Sequence, residues 1–429
     1  MNTAQRTPPS LYTDKEIQYA VLGLILLPMY IKLMGKLSTI VAFPTIVTTS
    51  LYYGTIWLCI VAYIYKNPFR SIVGLLQIGI PFFLFCAICS FVGTTGSKYI
   101  FKFGVMEIAT IQTTTLFFTG MFMVLGLGIQ DYDSFSRRLH MVSRVCVLFG
   151  ALIFLLIVLT GDSLRYDDMT YAYGLCLPIC LLLAQRSQYD LPFILIGVFC
   201  LFSAGTRGPL VCIAVAYMLT SFVKARTPVR FLINLIMGVL LILSCFTGIF
   251  TEILKSILEV ISNITGQPLR ILDHLNAGEL SDSSGRDNIA ATIREAIFHR
   301  FFMGYGIGGD RYILGYTRSK DPSLPLTETY CHNIALELFI SLGAILGTIV
   351  LLWILYRFFK MFVSKDNNYR TIAIAFFSGQ IVKLCFSSSL LNEPLLFVFL
   401  GMSIATTGIM SKRPVNPELP FQAKLEKSM

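Results

Sequence analysis

The sequence predicts an all-α polytopic membrane protein with about twelve transmembrane helices. Hydrophobic residues make up 55% of the 429 residues and charged residues only 14%, which leaves too little polar surface to cover a soluble globule. Several apolar stretches reach the roughly 20 residues that a helix needs to cross about 30 Å of hydrocarbon. The period-two alternation of a membrane β-barrel is missing, so we expect the spans to be helices.

The predicted spans follow the apolar stretches in chain order. They cover residues 17–34, 40–64, 71–93, 105–128, 141–160, 170–184, 190–204, 208–223, 230–250, 333–356, 371–389 and 394–410. The first nine spans therefore lie within residues 1–250 and the last three within 333–410. A long loop over 251–332 separates the two groups, and a tail over 411–429 follows the last span.

Basic residues predict the orientation, because short loops rich in Lys and Arg stay in the cytoplasm. Most of them fall in the even-numbered loops, namely Lys66, Arg70, Arg137, Arg138, Arg186, Lys224, Arg226, Arg230, Arg357, Lys360, Lys365 and Arg370. Fewer fall in the odd-numbered loops, namely Lys36, Lys98, Lys102, Arg165 and Arg207. Both termini are therefore expected in the cytoplasm and the long loop on the exported side.

The long loop is expected to be helical, because its apolar residues recur at helical spacing in two places. The two sets are Ile253, Ile257, Val260 and Ile261, and then Ile289, Ile293, Ile297 and Phe301. A helix with one apolar face beside a membrane can lie on its surface, and we expect both loop helices to do so.

Charge and cysteine usage argue against two other classes of function. The net charge of +10 follows from the cytoplasmic bias of Lys and Arg, and no basic patch with exposed aromatic residues indicates nucleic-acid binding. Of the eleven cysteines, only Cys331 falls in an exported loop, so no disulfide framework is implied. Cys86 and Cys89 have the spacing of a redox or metal pair, but their apolar neighbours favour a packed helix.

Arg207 is the first candidate for an anion site, in the turn Ser203-Ala204-Gly205-Thr206-Arg207-Gly208-Pro209 between two predicted spans. A guanidinium at membrane depth costs roughly 2.5 to 3.5 kcal/mol on insertion scales and usually has an anionic partner. The simpler alternative is an arginine that extends from a helix end to the membrane surface.

Arg286 is the second candidate, in Ser283-Ser284-Gly285-Arg286-Asp287-Asn288 at the predicted start of a loop helix. A helix start offers unpaired N–H groups and the positive end of a dipole, so an arginine there would grip a phosphate from two sides. A solvated surface arginine is the alternative.

His332 lies where the long loop meets the tenth predicted span, between Cys331 and Asn333 and close to Tyr330. An imidazole exchanges a proton near neutral pH, so His332 is a candidate general base. A histidine that only anchors the membrane interface is the alternative.

Gly304, Gly306, Gly308 and Gly309 resemble a phosphate-binding glycine loop. No predicted strand precedes them and no Walker lysine follows, so we interpret them as a turn that ends a helix.

Taken in order, these motifs resemble a known family. They are Gly285-Arg286-Asp287-Asn288, then Gly304-Tyr305-Gly306-Ile307-Gly308 after a helix of about a dozen residues, then Tyr330-Cys331-His332-Asn333 with Glu337 and the pair Gly343 and Gly347. Together with the earlier Thr206-Arg207-Gly208 turn, their order, spacing and common side of the membrane resemble the O-antigen polymerase and ligase family.

The resemblance implies a GT-C-like, metal-independent, inverting glycosyltransferase of the bacterial inner membrane, with its active site facing the periplasm and no cofactor. Its substrates would be oligosaccharide repeat units carried on undecaprenyl pyrophosphate, and a chain-length regulator would be a partner beside the membrane lipid. By the same resemblance, Arg207 and Arg286 hold the pyrophosphate and His332 acts near the acceptor. Arg165 matches more loosely as a third cation for that site.

Three further residues, Tyr330, Asn333 and Glu337, are expected to support the site. Arg144, Glu107, Glu337 and Lys383 are ionisable residues within predicted spans, and we expect them to face the bundle interior and to pair there.

Several alternatives stay open. The run from His332 to Glu337 favours a polymerase, which passes the growing glycan to a new lipid-linked repeat unit, over a ligase, which passes the glycan to lipid A core. Asp167 and Asp168 would suit a metal-dependent transferase instead. A flippase or other transporter for lipid-linked units also fits twelve spans with interior charges, although no internal repeat is evident.

Overall fold

A computed structural model of the chain describes residues 14–41, 44–82, 120–160, 169–185, 187–204, 207–224, 227–246, 286–320 and 330–407, with short helical pieces within 84–88 and 252–263. All regular elements in these ranges are helices, and none of the described residues forms a strand. The all-α class is therefore confirmed for this part of the chain. The number of twelve spans, their orientation, the domain boundaries and a GT-C-like architecture stay predictions.

The helices that precede the loop are α1 (Lys15–Ile40), α2 (Thr45–Lys66), α3 (Pro68–Gly74, continued by a π-helical turn at Leu75–Gly79), α4 (Tyr132–Thr160), α5 (Met169–Gln185), α6 (Leu191–Ser203), α7 (Arg207–Lys224) and α8 (Pro228–Phe246). The later helices are α9 (Arg286–His299), α10 (Gly309–Lys320), α11 (Ile334–Leu342), α12 (Ala344–Phe362), α13 (Asn367–Phe376, continued by a π-helical turn at Phe377–Val382) and α14 (Pro394–Thr407).

Within the described ranges, four helical segments are long and apolar enough to cross a membrane, namely Lys15–Ser38, Ile46–Lys66, Tyr132–Thr160 and Ala344–Phe362. Shorter apolar helices cover Ser71–Phe82, Thr170–Gln185, Gln188–Ser203, Gly208–Lys224, Pro228–Leu240 and Pro394–Ala405. Most of these segments coincide with predicted spans. The fourth predicted span, 105–128, lies mainly outside the described residues.

Helix α5 is the centre of the bundle. Residues 171–182 are all buried, and α5 packs against α1, α4, α6, α7 and α13. A helix that is apolar on every side has no face suited to water, and here other helices surround it. The central position brings Tyr173 of α5 close to the start of α7, where Arg207 lies.

The tenth predicted span is not one helix. Residues 333–356 were expected to be continuous, but Gly343 has φ of 81° and separates α11 from α12. A Cβ atom at Gly343 would lie 2.3 Å from the carbonyl oxygen of Phe302, so the loop backbone approaches the chain too closely for any side chain there. The contact with the loop therefore accounts for the break, and a glycine is required at this position.

The loop helices α9 and α10 pack on α11 and form a small core with it. Ile289, Ile293 and Ile297 of α9 are buried in this core, together with Ile313, Leu314 and Ile340. The expectation of a place on the membrane surface is therefore wrong for Ile289, Ile293 and Ile297, because protein covers them, whereas Phe301, the last residue of the set, is exposed. Of the first apolar set of the loop, Ile257 and Val260 belong to the described residues, and Ile253 and Ile261 do not.

Candidate functional site

The two predicted phosphate-binding arginines each stand at the first described residue of a helix. Arg207 begins α7 and Arg286 begins α9. The first N–H groups of a helix have no partner within it, so both positions suit an anion. The side chains of both arginines, and all of Arg165, lie outside the described residues.

Tyr173 and Lys383 lie beside the start of α7. A Cβ atom at Gly208 would come within 2.1 Å of the Tyr173 hydroxyl oxygen, so glycine is needed where the two helices meet. The ammonium of Lys383 lies 4.8 Å from the centroid of the Tyr173 ring, which is the range of a cation–π contact. A further cation, Lys383, is therefore close to the backbone that carries Arg207.

Lys383 is paired with a carboxylate of the segment that follows it. Its ammonium lies 2.5 Å from Oε1 of Glu393, and the Ser388 hydroxyl donates to the same oxygen at 2.5 Å. Both charged side chains are largely buried. The expectation that Lys383 faces the interior and finds a partner is confirmed.

Glu337 is buried and holds the same segment at a second point. Its Oε1 accepts from the Ser389 hydroxyl at 2.6 Å, and its Oε2 accepts from the backbone N–H of Leu390 at 2.7 Å. A guanidinium nitrogen of Arg311 lies 3.7 Å from Oε1. Glu337 therefore joins α11 to the loop helix α10 and to the chain between α13 and α14.

Arg311 is the loop's contribution to this cluster. It donates to the Ser389 hydroxyl at 2.8 Å, approaches Asp310 at 3.4 Å, and its guanidinium lies 5.6 Å from the centroid of the Tyr330 ring. Burial opposes the charged form, but the charges of Asp310 and Glu337 outweigh it, so the pKa of Arg311 is raised. The guanidinium is therefore held as a buried cation under Tyr330.

His332 is linked to this cluster through Tyr330 and has a strained backbone conformation. It is buried, and its ring centroid lies 4.1 Å from that of Tyr330. Its φ of 52° is the one positive value among the non-glycine residues that the structure describes. Such a conformation costs about 1 to 3 kcal/mol and persists only where the surroundings enforce it.

The hydrogen bonds of the Asn333 side chain hold the backbone that follows His332. Its Oδ1 accepts from the backbone N–H groups of Ala335 at 3.0 Å and Leu336 at 3.2 Å, so it caps α11. Its Nδ2 donates to the carbonyl of Cys385 at 3.5 Å. The supporting residues Tyr330, Asn333 and Glu337 thus all contact the elements around His332, although their catalytic roles stay predictions.

Cys331 is a thiol that the site keeps neutral. Burial raises its pKa well above the usual range, and the charges of Asp310 and Glu337 raise it further. Its backbone N–H donates to Asp310 at 3.2 Å and its thiol contacts the carbonyl of Asn333 at 3.4 Å. A protonated thiol is a weak nucleophile, so Cys331 serves packing here.

The glycine cluster after α9 is a turn, as interpreted from the sequence. Gly304, Gly306 and Gly308 have positive φ, and the backbone N–H groups of Tyr305 and Gly306 donate to the carbonyls of Ile340 and Ser341 at 2.7 and 3.0 Å. Because the end of α11 takes up these two donors, they cannot cradle a phosphate.

No group of three or more His, Cys, Asp or Glu residues in the described ranges is placed to hold a metal ion. Asp167 and Asp168, the residues considered for a metal site, lie outside those ranges. Glu107 also lies outside those ranges. Arg144 pairs with Asp190, with 2.7 Å between a guanidinium nitrogen and a carboxylate oxygen, as expected of a charged residue within the membrane.

Asp310, Arg311, Ser389 and Glu393 were missed from the sequence. One signal pointed to part of them: the run Ser387-Ser388-Ser389 and then Glu393 interrupts apolar sequence at the exported end of the last two predicted spans. Nothing local distinguishes Arg311 from the other loop arginines, because its burial arises only when α10 packs on α11.

Residues 192–365 match a family model described as O-antigen ligase. The matched range is somewhat less than half of the chain and contains Arg207, Arg286, Tyr330, His332, Asn333 and Glu337, whereas Arg165, Lys383 and Ser389 lie outside it. No curated protein and no solved structure is significantly similar to the chain.

Proposed function

We propose that the chain is the polymerase of a surface polysaccharide, and the match of residues 192–365 to the family model described as O-antigen ligase supports a role in that family. It would transfer the growing glycan from undecaprenyl pyrophosphate to a hydroxyl of a new lipid-linked repeat unit, without a metal and with inversion. We place it in the bacterial inner membrane with the site facing the periplasm, and a chain-length regulator is the proposed partner.

The observation that carries this proposal concerns one short segment, residues 383–393. It contacts the bundle half of the site, near the start of α7, and the loop half, which is formed by α10, α11 and the turn at His332. Lys383 contacts the ring of Tyr173, a residue of α5 whose hydroxyl lies against the start of α7. The Cys385 carbonyl accepts a hydrogen bond from the Asn333 side chain. Ser389 bonds both Glu337 and Arg311, and the Arg311 guanidinium lies against the Tyr330 ring. The segment therefore borders Tyr173, which meets Gly208 next to Arg207, and Asn333, which follows His332.

In the proposed transfer, Arg207 and Arg286 bind the pyrophosphate with the first N–H groups of their helices. The acceptor oxygen forms a bond to the anomeric carbon while the bond from that carbon to the pyrophosphate oxygen breaks. The electron pair leaves with undecaprenyl pyrophosphate, whose charge the guanidiniums stabilise, each charge-assisted hydrogen bond contributing about 1.5 to 3 kcal/mol. The acceptor's proton passes to His332.

His332 suits the role of base through its setting. The ring is held by Tyr330, whose other neighbour is the Arg311 guanidinium, and the backbone is held by the Asn333 cap. A base fixed in this way accelerates a reaction about a hundredfold to ten-thousandfold.

Purified protein supplied with synthetic undecaprenyl-pyrophosphate repeat units and a chelator tests the proposal. A ladder of lengthened glycans is the expected result. Loss of activity on chelation would contradict the metal-independent mechanism and favour Asp167 and Asp168 as ligands.

The matched control lies on α9 itself. Arg286→Ala is expected to abolish elongation, whereas Arg294→Ala, at an exposed arginine of the same helix, should leave it intact. Equal activity of the two variants would overturn the role of Arg286.

A ligase is the second candidate, and the description of the matched family favours it. Transfer that occurs only when lipid A core is added, with no ladder in its absence, would decide for the ligase. Translocation of lipid-linked units with no new glycosidic bond would decide for a transporter.

A further inference from the structure

The end of α9 presents a patch of large apolar side chains that no part of the described chain covers. Phe298 is 78% exposed, Phe302 72% and Met303 65%, and Phe301 is also exposed. We refer to these four residues as the apolar tip. The apolar tip is exposed, whereas Ile289, Ile293 and Ile297 of α9 are buried against α10 and α11.

The position of the apolar tip is fixed relative to α12. The backbone N–H of Ala344, the first residue of α12, donates to the carbonyl of Phe301 at 2.7 Å. The carbonyl of Phe302 lies against Gly343, where a Cβ would be only 2.3 Å away. The tip is therefore held at one end of a helix that is long and apolar enough to cross a membrane.

The apolar tip continues a surface of α12 that is suited to lipid. Ile345, Ile349 and Leu352 are exposed and recur at helical spacing, so they form one apolar stripe along α12. When α12 spans the bilayer, this stripe faces hydrocarbon and its first residue lies beside Phe301 and Phe302. The boundary of the bilayer therefore falls at the level of the tip.

We propose that the apolar tip inserts into the exported leaflet and binds the acyl chains of membrane lipid just below their headgroups. Arg300 stands within the same stretch, with its guanidinium 4.9 Å from the centroid of the Tyr305 ring, and places a cation where anionic headgroups lie. Insertion at this single point fixes the height of the loop, and with it the turn Gly304–Gly308, above the bilayer. This inference does not depend on the activity proposed above.

A tryptophan at the tip tests the insertion. The two native tryptophans, Trp57 and Trp353, are replaced by phenylalanine, and Phe302→Trp is introduced into the full-length chain in vesicles that contain brominated phospholipid. An interfacial segment lies about 5–10 Å into the boundary between headgroups and acyl chains, so bromine near the top of the acyl chains should quench Phe302→Trp most strongly.

Asn288→Trp is the matched control, because Asn288 is exposed near the other end of α9. It should respond to aqueous iodide and not to brominated lipid. The inference is overturned if Phe302→Trp behaves like this control, since the tip would then face water or a protein partner. Both positions are exposed, so neither substitution disturbs the packed core.

The two proposals can fail separately. Quenching of Phe302→Trp in a protein that elongates no glycan would support membrane insertion and count against the polymerase. Elongation without quenching would do the reverse.

Discussion

Two buried carboxylates, Asp190 and Glu337, hold this protein together by similar chemistry in different places. Asp190 accepts from Arg144 at 2.7 and 2.9 Å and from His140 at 2.8 Å, and it caps its own turn through Ser187. Glu337 accepts from Ser389 and Leu390 and pairs with Arg311.

The two clusters differ in what they connect. Asp190 clamps α4 to the start of the neighbouring helix α6, at the end of the bundle predicted to face the cytoplasm. Glu337 joins the loop to the bundle through Arg311, Ser389 and Leu390. Similar ion pairing therefore serves helix packing at one place and the candidate site at the other, and only variants that separate stability from activity can tell the two roles apart.

The largest expected difference concerns the histidines of the two regions, His332 and His140. Asparagine tolerates positive φ, so His332→Asn keeps the backbone while it removes the imidazole. We expect His332→Asn to lower the elongation rate about a hundredfold to ten-thousandfold, and His140→Asn to leave it close to wild type. Rates and melting temperatures of both variants in detergent check this, and a fully active His332→Asn would refute the base assignment.

The carboxylates themselves are the next comparison. Asp190→Ala takes the carboxylate partner from the partly exposed Arg144, and Glu337→Ala takes one of the two carboxylates beside the buried Arg311. Breaking a buried ion pair typically costs about 3 to 5 kcal/mol, which is an upper bound for both variants. Both variants should therefore melt at lower temperature. At a temperature where both are folded, only Glu337→Ala should lower the maximal rate. Similar losses of rate in the two variants would mean that Glu337 acts on stability alone.

A substitution at Gly208, at the start of α7, tests the bundle half of the site, and its expected effect on activity is smaller. Gly208→Ala places a methyl group against the Tyr173 hydroxyl, and overpacking of this kind costs about 1 to 3 kcal/mol. The start of α7 should shift, and the KM for the lipid-linked substrate should rise.

Tyr173→Phe removes the clashing oxygen and should restore the KM of Gly208→Ala in the double variant. Gly315→Ala is the control, since nothing lies within 4 Å of a Cβ there and helical alanine is preferred to glycine. A KM that does not respond to Gly208→Ala would separate this turn from substrate binding.

The smallest expected effect is on the reactivity of Cys331. Its pKa is raised, so the thiol stays protonated at neutral pH and alkylation should begin only as the pH rises well beyond the usual thiol range. Glu337→Gln removes one of the charges that raise this pKa, and should allow alkylation at lower pH. Mass spectrometry of the Cys331 peptide after iodoacetamide treatment measures this, and unchanged alkylation in Glu337→Gln would refute the electrostatic coupling.

Much of the helix plan could be predicted from the sequence, because uninterrupted apolar runs leave few alternatives. The start of α9 at Arg286 followed from the apolar spacing of Ile289 and Ile293. The break at Gly343 could not be predicted, since it depends on the approach of the Phe302 carbonyl from a distant part of the chain.

The candidate site divides in the same way. His332 and Glu337 stand out in sequence because an ionisable residue at the edge of an apolar run is costly to bury and usually has a partner or a function. Arg311 does not stand out, because it lies in a polar loop and becomes buried only through tertiary packing. Membrane contact by the Ile289 face was predicted wrongly for a related reason: amphipathic spacing reveals an apolar face but not what covers it.

The π-helical turn at Phe377–Val382 stands immediately before Lys383. A turn of this kind holds one residue more than an α-helical turn, as if a single codon had been inserted into an ordinary helix. Deleting one residue from it would restore the regular winding and rotate everything downstream by about 100°. Lys383 would then leave Tyr173, so the meeting of the two halves of the site depends on one residue of helical register.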